Sequence, residues 1–351
     1  MSDSPTPEPV PASPHKRRVR YSGKNPRRFE EKYKERDPQR YPEAVAKVLA
    51  SGKTPAGMHR PIMVAEILEM LNPQPGEIAV DCTLGYGGHA RELLPRLQPG
   101  GRLIGLDVDP IELPKTETRL RELGFGPEVF VAHRSNFAGL AKVLAAEQVS
   151  GADMILADLG VSSMQLDDPG RGFSVKREGP LDMRMNPQRG QPASVLLQKI
   201  SADHLAVLLE ENADEPHARL LADALAGCAF PTTTALANVI RRVLLRKVTD
   251  DELDNCVRRV FQALRIAVND EFSALDNLLR NLSACLNADG RVAILTFHSG
   301  EDRRVKKAFE AGLRDGHYAD IAREVIRPTP TERHDNPRSA SAKLRWARKA
   351  G

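Results

Sequence analysis

Residues 81–89 read DCTLGYGGH, three glycines in four positions directly after the apolar run EIAV (77–80). The following run, ARELLPRL (90–97), has a helical rhythm. A strand, a glycine turn and a helix start form the usual frame of a nucleotide or phosphate site. Gly85, Gly87 and Ala90 also fit the G-x-G-x-x-A spacing of dinucleotide sites. Glycine lets the backbone approach a ligand closely, and His89 falls near a helix start, where N–H groups favour an anion. The alternatives are a tight turn with nothing bound and an ordinary first-turn histidine. Taken alone the motif is weak, and its neighbours along the chain decide its meaning.

Strands and helices alternate from His59 onward, which predicts a parallel α/β sheet. The expected strands are EIAVDCTLG (77–85), GRLIGLDVD (101–109), EVFVAHRS (128–135), ADMILADLG (152–160) and GRVAILTFHS (290–299). Helical stretches at 110–123 and 137–148 separate the earlier strands. Residues 161–190 look loop-like, and helical patterns then run from about 194 to 248 with no strand between them. One long helix over roughly 254–287 returns the chain to the sheet. A helix at 301–312 follows, and IAREVIRP (321–328) and SAKLRWARK (341–349) are expected as the last two strands. The domain reading is a basic, largely disordered extension over 1–57, a core over 58–160, a pocket loop with inserted helices over 161–253, and the rest of the core over 254–351.

With 351 residues, 41% hydrophobic and 28% charged, the composition is that of a soluble globular protein. No run is long enough to span a membrane and no signal segment opens the chain. Cys82, Cys228, Cys256 and Cys285 include no C-x-x-C pair, which argues against a zinc site or a disulfide framework and for a cytoplasmic setting. Residues 1–57 hold 13 Lys/Arg against 7 Asp/Glu, leaving the rest of the chain at −2. Such an arm suits a polyanionic partner or serves as a solubilising tail.

In a doubly wound sheet, ligands bind at the carboxyl ends of the strands. Gly85–His89, Asp107, Asp158 and His298 end four different expected strands and so share one rim. Asp107 lies 22 residues after Gly85, suitable for a carboxylate on ribose hydroxyls. A helix cap is its alternative, and Asp109 before Pro110 suits that job better. Phe137 is placed either to cover an adenine ring or to fill the core. Asp158 follows the apolar MILA and costs stability there unless it has a task or good partners. Capping the next turn is its second reading.

The run DLGVSSMQLDDPGRGFSVKREGPLDMRM (158–185) closely resembles the bacterial ribosomal-RNA cytosine-N4 methyltransferases. VDCTLGYGGHA (80–90), GLDVDP (105–110), FQALRIAVN (261–269), FHSGEDR (297–303) and NPRSASAKLR (336–345) match that family in the same order, and HRPIM (59–63) resembles its N-terminal signature. The resemblance implies a class I S-adenosylmethionine (SAM) methyltransferase fold with an inserted helical domain. It implies a methyl transfer from SAM to the exocyclic amine of a cytidine in the small-subunit decoding region. The cofactor contacts carried over by motif are Gly87, Gly88, His89, Asp107, Phe137, Asp158 and Gln165, with no metal. The chain departs from the family pattern at DNCVRRVFQ (254–262), which lacks a His and a Pro before Phe-Gln, and at Gly300, where a leucine is expected. NADEPHARLLA (212–222) follows the family's charged run only loosely, and the first 57 residues have no counterpart in its compact members.

A cytosine amine is a poor nucleophile because its lone pair conjugates with the ring. Transfer therefore needs in-line positioning and an acceptor for the amine hydrogens, and Asp158 is the first choice. Cys82 is in no setting that suggests a covalent route, so direct transfer is expected. For the substrate, Ser162, Ser163, Asp182 and Arg184 offer polar contacts to a base edge, Phe173 a stacking face and His298 a rim contact; each also suits ordinary loop chemistry. The expected partner is small-subunit ribosomal RNA or the assembling subunit, with no membrane. The oligomeric state, a homodimer included, is left open. An NAD-dependent dehydrogenase would need a second βαβαβ half after the fourth strand. A non-catalytic SAM-binding assembly factor is the other alternative.

Overall fold

The computed structural model describes residues 61–351. The basic arm, with His59 and Arg60 of the HRPIM run, lies outside the described residues. Helix α1 (Val64–Leu71) leads into β1 (Ile78–Asp81), α2 (Gly88–Leu97), β2 (Arg102–Asp107), α3 (Leu113–Glu122), β3 (Phe130–Arg134), α4 (Leu140–Ala146) and β4 (Ala152–Asp158). A pocket loop containing α5 (Ser163–Asp167) follows. Next come α6 (Ala193–Lys199), α7 (Ala202–Ala213), α8 (Ala218–Leu225), α9 (Thr233–Leu244), α10 (Asp250–Asn269) and α11 (Glu271–Asn281). The chain ends with β5 (Leu286–Thr296), α12 (Ser299–Arg314), β6 (Tyr318–Ile321), α13 (Pro330–Asp335) and β7 (Lys343–Lys349).

The strands form one seven-stranded sheet in the order β3-β2-β1-β4-β5-β7-β6. β1 to β5 are parallel, and β7 runs antiparallel between β5 and β6. This is the expected α/β, mostly parallel architecture. Met154, Ile155, Leu156 and Ala157 of β4 are all fully buried, because a central parallel strand is covered on both faces and must be apolar on both. Helices α6 to α9 form a separate apolar cluster, built around Leu205, Leu221, Leu236 and Ile240. No helix is long and apolar enough to cross a membrane among the described residues.

Three expectations are corrected. The single helix over 254–287 is two, because Asp270 sits in the left-handed region at φ 51° and ends α10, its N–H bonding back to Ile266 and Ala267. Aspartate tolerates that conformation, and the apolar rhythm continuing through it hides the break. The boundary at residue 253 falls inside α10, whose residues Cys256 to Leu264 pack into the helical cluster. The strand expected at 321–328 lies earlier: Tyr318 anchors β6 by packing edge-on against Phe309 at 5.5 Å. Ile326 adds only an isolated bridge to Leu344.

The pocket loop folds back on itself, with residues 169–172 crossing 179–182 at backbone contact. A Cβ on Gly179 would lie 1.8 Å from the Pro169 carbonyl oxygen, and one on Gly172, at φ +73°, 2.2 Å from that of Pro180. Gly179→Ala should therefore force the crossing apart at a cost of about 1–3 kcal/mol, the usual range for overpacking. Thermal unfolding and limited proteolysis would show a lowered midpoint and new cleavage between 161 and 190. A wild-type pattern would mean that the two backbones separate freely.

Candidate active site

A cavity of about 720 Å³ opens over the carboxyl ends of β1, β2, β4 and β5, within the size range of small-molecule sites. The glycine turn forms one wall. Gly85, at φ +49°, faces open space, since an added Cβ would meet nothing nearer than Thr83 O at 3.7 Å. Gly88 and His89 line the same wall at the start of α2, where first-turn N–H groups lack intrahelical acceptors. Gly87 does not line the cavity. It caps α2 at φ 73°, and a Cβ there would press on Thr116 and Leu120 of α3 at 3.1 and 3.2 Å. Its glycine is needed for the cap and for helix packing.

The Asp107 carboxylate fixes this turn by accepting from Gly85 N–H at 2.7 Å and Asp109 N–H at 2.8 Å. Burial raises its pKa. A carboxylate has about four lone-pair sites, so acceptor capacity remains toward the cavity. Asp107 caps no helix, the N-cap of α3 being Glu112; it holds the glycine turn while lining the cavity.

Asp158 ends β4 with its backbone N–H on Thr83 Oγ1 at 2.6 Å. Its side chain keeps 27% exposure, facing the cavity, and the nearest cation-capable group is His89 Nδ1 at 3.7 Å. Desolvation first, and the charge of Glu301 second, push its carboxyl up to about 7. His89 is pushed the opposite way by burial. Its Nε2 meets the Ile62 carbonyl at 3.0 Å. A carbonyl only accepts, so Nε2 carries the proton and the neutral ring turns a bare Nδ1 toward Asp158. Behind both lies Asp81, buried, accepting from Thr83 N–H and raised by burial to about 6.

The pocket loop hangs on Asp109. One of its oxygens accepts from Ile111 N–H at 2.9 Å. The other takes Gln165 Nε2 at 2.9 Å and Arg171 Nη1 at 2.8 Å. Ser162 and Gln165 form a reciprocal capping box at the start of α5, so Gln165 serves both α5 and Asp109. Ser162, Ser163, Gln165 and Phe137 all line the cavity. Phe173, Asp182, Arg184 and His298 do not. Phe173 is buried in the helical cluster, and Asp182 and Arg184 are closed on each other through paired 2.7 Å bonds. His298 caps α12 and lies 3.2 Å from Glu301. Sequence placed the first three in the pocket loop and His298 at the rim, but their side chains are taken up by partners outside the cavity.

Several wall residues went unassigned in the sequence. Glu301, buried beside Asp158, is held ionised against its burial by His298 and Arg265. Asn336 and Arg338 reach the cavity from the far end of the chain, and Arg338 is tied to Asp167 at 2.8 Å. The runs FHSGEDR and NPRSASAKLR carried the available signal. Gly300 has a local explanation, since a Cβ there would come within 2.7 Å of the Phe272 ring, which lines the cavity beneath the Arg304 guanidinium. The residues present fit the SAM that the resemblance implies: an open glycine turn, a carboxylate with spare acceptor sites and an aromatic side chain share one cavity.

The MraW methylase family model matches residues 56–350. A ribosomal RNA small subunit methyltransferase H 1 from Lachnoclostridium phytofermentans is 48% identical, covering 100% of this chain and 97% of its own length. A methyltransferase H 2 of the same description from Alkaliphilus metalliredigens is 50% identical over 95% of this chain and 97% of its own. One from Anaeromyxobacter sp. strain Fw109-5 is 41% identical and covers 83% of this chain and 98% of itself. The N-terminal extension therefore has a counterpart in some relatives.

The raised carboxyls set a pH dependence for stability. Asp81 at about 6 and Asp158 at about 7 stand above the ordinary 3.8, so the folded state holds protons that the unfolded chain releases. Their contribution is full below the ordinary value and is lost as pH rises through 6 to 7. His89, lowered on folding, opposes this, so the informative quantity is the difference between variants. Asp81→Asn should make the fall in melting temperature between about pH 4 and pH 7.5 shallower. A pH series by calorimetry checks this, and a slope equal to wild type would show that Asp81 titrates normally.

Proposed function

Because the chain belongs to the MraW methylase family, we propose that it transfers a methyl group from SAM to the exocyclic N4 amine of a cytidine in small-subunit ribosomal RNA. The observation that carries this reading is Asp158, a carboxylate poised near neutrality on the wall of the cavity. When bound, SAM supplies an electrophilic methyl on a positively charged sulfur. Of the cavity-lining residues, Asp107 would accept hydrogen bonds from the ribose, Gly85 and Gly88 would hold the amino-acid part, and Phe137 would hold the base. Gln165 holds the floor of α5 in place.

Asp158 would take a proton from the cytosine amine as the amine's lone pair forms the new N–C bond; the methyl's bond to sulfur would break in the same displacement, leaving a neutral thioether. A proton acceptor with a pKa near 7 is matched to that task at neutral pH. Glu301 keeps the pocket negative behind it. Ser162 and Ser163 offer polar contacts to the base, and Arg258 and Arg338 meet RNA phosphates at the cavity mouth. The arm over 1–57 adds further positive charge for the same polyanion. Modification of assembling ribosomal RNA is cytoplasmic work. A dehydrogenase is disfavoured, because helices rather than a second βαβαβ half follow β4 among the described residues.

Asp107→Ala should weaken SAM binding by the loss of bonds to a charged group, about 1.5–3 kcal/mol, in isothermal calorimetry. Unchanged affinity would place the ribose elsewhere. Asp158→Asn keeps the shape but cannot take a proton, so turnover should fall about 10²–10⁴-fold. In the wild type, kcat/KM for SAM should rise as pH passes about 7. The kcat limb should lie lower, since the sulfonium charge favours the ionised carboxylate. The Asn variant should lack both limbs, and wild-type turnover in it would make Asp158 structural.

A further inference from the structure

Glu215 and His217 occupy the short link between α7 and α8, and Cys256 lies in the second turn of α10. The three offer a carboxylate oxygen, an imidazole nitrogen and a thiol whose donor atoms all lie within 4.8 Å of one another. None of them lines the active-site cavity. They come from two separate stretches, the link over 214–217 and the start of α10, that packing brings together.

The second observation is Glu215 itself. Its side chain is completely buried. One oxygen accepts from His217 N–H at 3.0 Å, while Oε2 receives no N–H donor and has the Cys256 thiol beside it, a thiol that also contacts Glu252 Oε1 at 3.7 Å and Arg259 Nη1 at 4.0 Å. The nearby cation is Arg259, whose Nη1 lies 3.7 Å from this oxygen and 2.6 Å from Glu252 Oε1. One guanidinium therefore serves two carboxylates, and the better hydrogen bond goes to Glu252. An underserved buried carboxylate is costly, and here it faces a buried thiol and an imidazole.

We propose that Glu215, His217 and Cys256 bind a zinc ion that pins the α7–α8 link to α10. Sulfur, nitrogen and oxygen donors in one set suit zinc among the common divalent ions. Bond lengths of about 2.0–2.3 Å in a tetrahedron require donor separations of about 3.3–3.7 Å, which side-chain rotation closes from the observed spacing. The half-exposed side of His217 leaves the fourth position to water. Binding replaces the thiol proton with a metal–sulfur bond and releases that proton to solvent. The ion then balances one thiolate and one carboxylate, leaving the Arg259–Glu252 pair intact. In the metal-free protein, burial and the neighbouring Glu215 push the Cys256 thiol up to about 12, so it is protonated there.

Titration of the chelator-stripped full-length protein with cobalt(II) tests the site without any reference to methyl transfer. An equimolar near-ultraviolet thiolate-to-cobalt band should appear, and one equivalent of zinc should displace it. Zinc should also raise the melting temperature by several degrees. Cys256→Ser should abolish the band, His217→Asn should weaken cobalt binding at least tenfold, and Cys228→Ser, which alters an exposed thiol, should leave it unchanged. Absence of the band in the wild type overturns the proposal. So does its persistence in Cys256→Ser, its loss in Cys228→Ser, or wild-type affinity in His217→Asn. The last variant decides the matter if Cys256→Ser fails to fold.

Discussion

Asp109 is almost fully buried, and its carboxylate joins the turn after β2 to two points of the pocket loop more than fifty residues further along the chain. It caps the turn after β2, takes the Gln165 amide of α5, and pairs with Arg171 in the pocket loop. Arg171 in turn donates to the carbonyls of Arg184 and Met185, and Met185 N–H bonds to Asn269 at the end of α10. A single buried charge therefore connects the sheet edge, the loop and the inserted helices. Breaking such a pair from one side is costly because the remaining charge cannot be rehydrated. The pocket loop depends on this, since it is otherwise short of regular structure.

The same low-polarity rim that makes the Asp109 pair strong also raises the carboxyls that lack such a partner. Asp109 has the Arg171 guanidinium, whereas Asp158 is raised by its burial and by the charge of Glu301. Asp107 lies between these cases: two backbone N–H groups partly offset its desolvation. Burial therefore raises both Asp107 and Asp158, and only Asp107 has backbone N–H groups that partly oppose it.

The inserted helices have their own apolar cluster, yet α10 belongs to both parts. Its first half packs with α7 and α9, and its last turn, through Arg265 and Asn269, reaches the cavity. Arg265 closes on Glu271 across the Asp270 break with paired 2.8 Å bonds. The position of the helical cluster is thereby linked to the shape of the active site. A metal joining α10 to the α7–α8 link would stiffen that connection.

The sequence by itself determined the parallel sheet, because strands buried on both faces must be continuously apolar and helices between them must be amphipathic. It also located the glycine turn, Asp107 and Asp158, since ends of buried strands are where unsolvated acids stand out. It missed the break at Asp270, which an αL aspartate makes without glycine or proline. It also offered Phe173, Asp182 and Arg184 of the loop and His298 of the rim as cavity contacts, because chain position does not specify where a side chain points within an irregular loop or at a cap. Tertiary structure alone decided the Asp109 node and the meeting of Glu215, His217 and Cys256. The absence of a C-x-x-C pair could not exclude a cluster whose donors lie 39 positions apart in the chain, because packing of helices, not local spacing, brings them together.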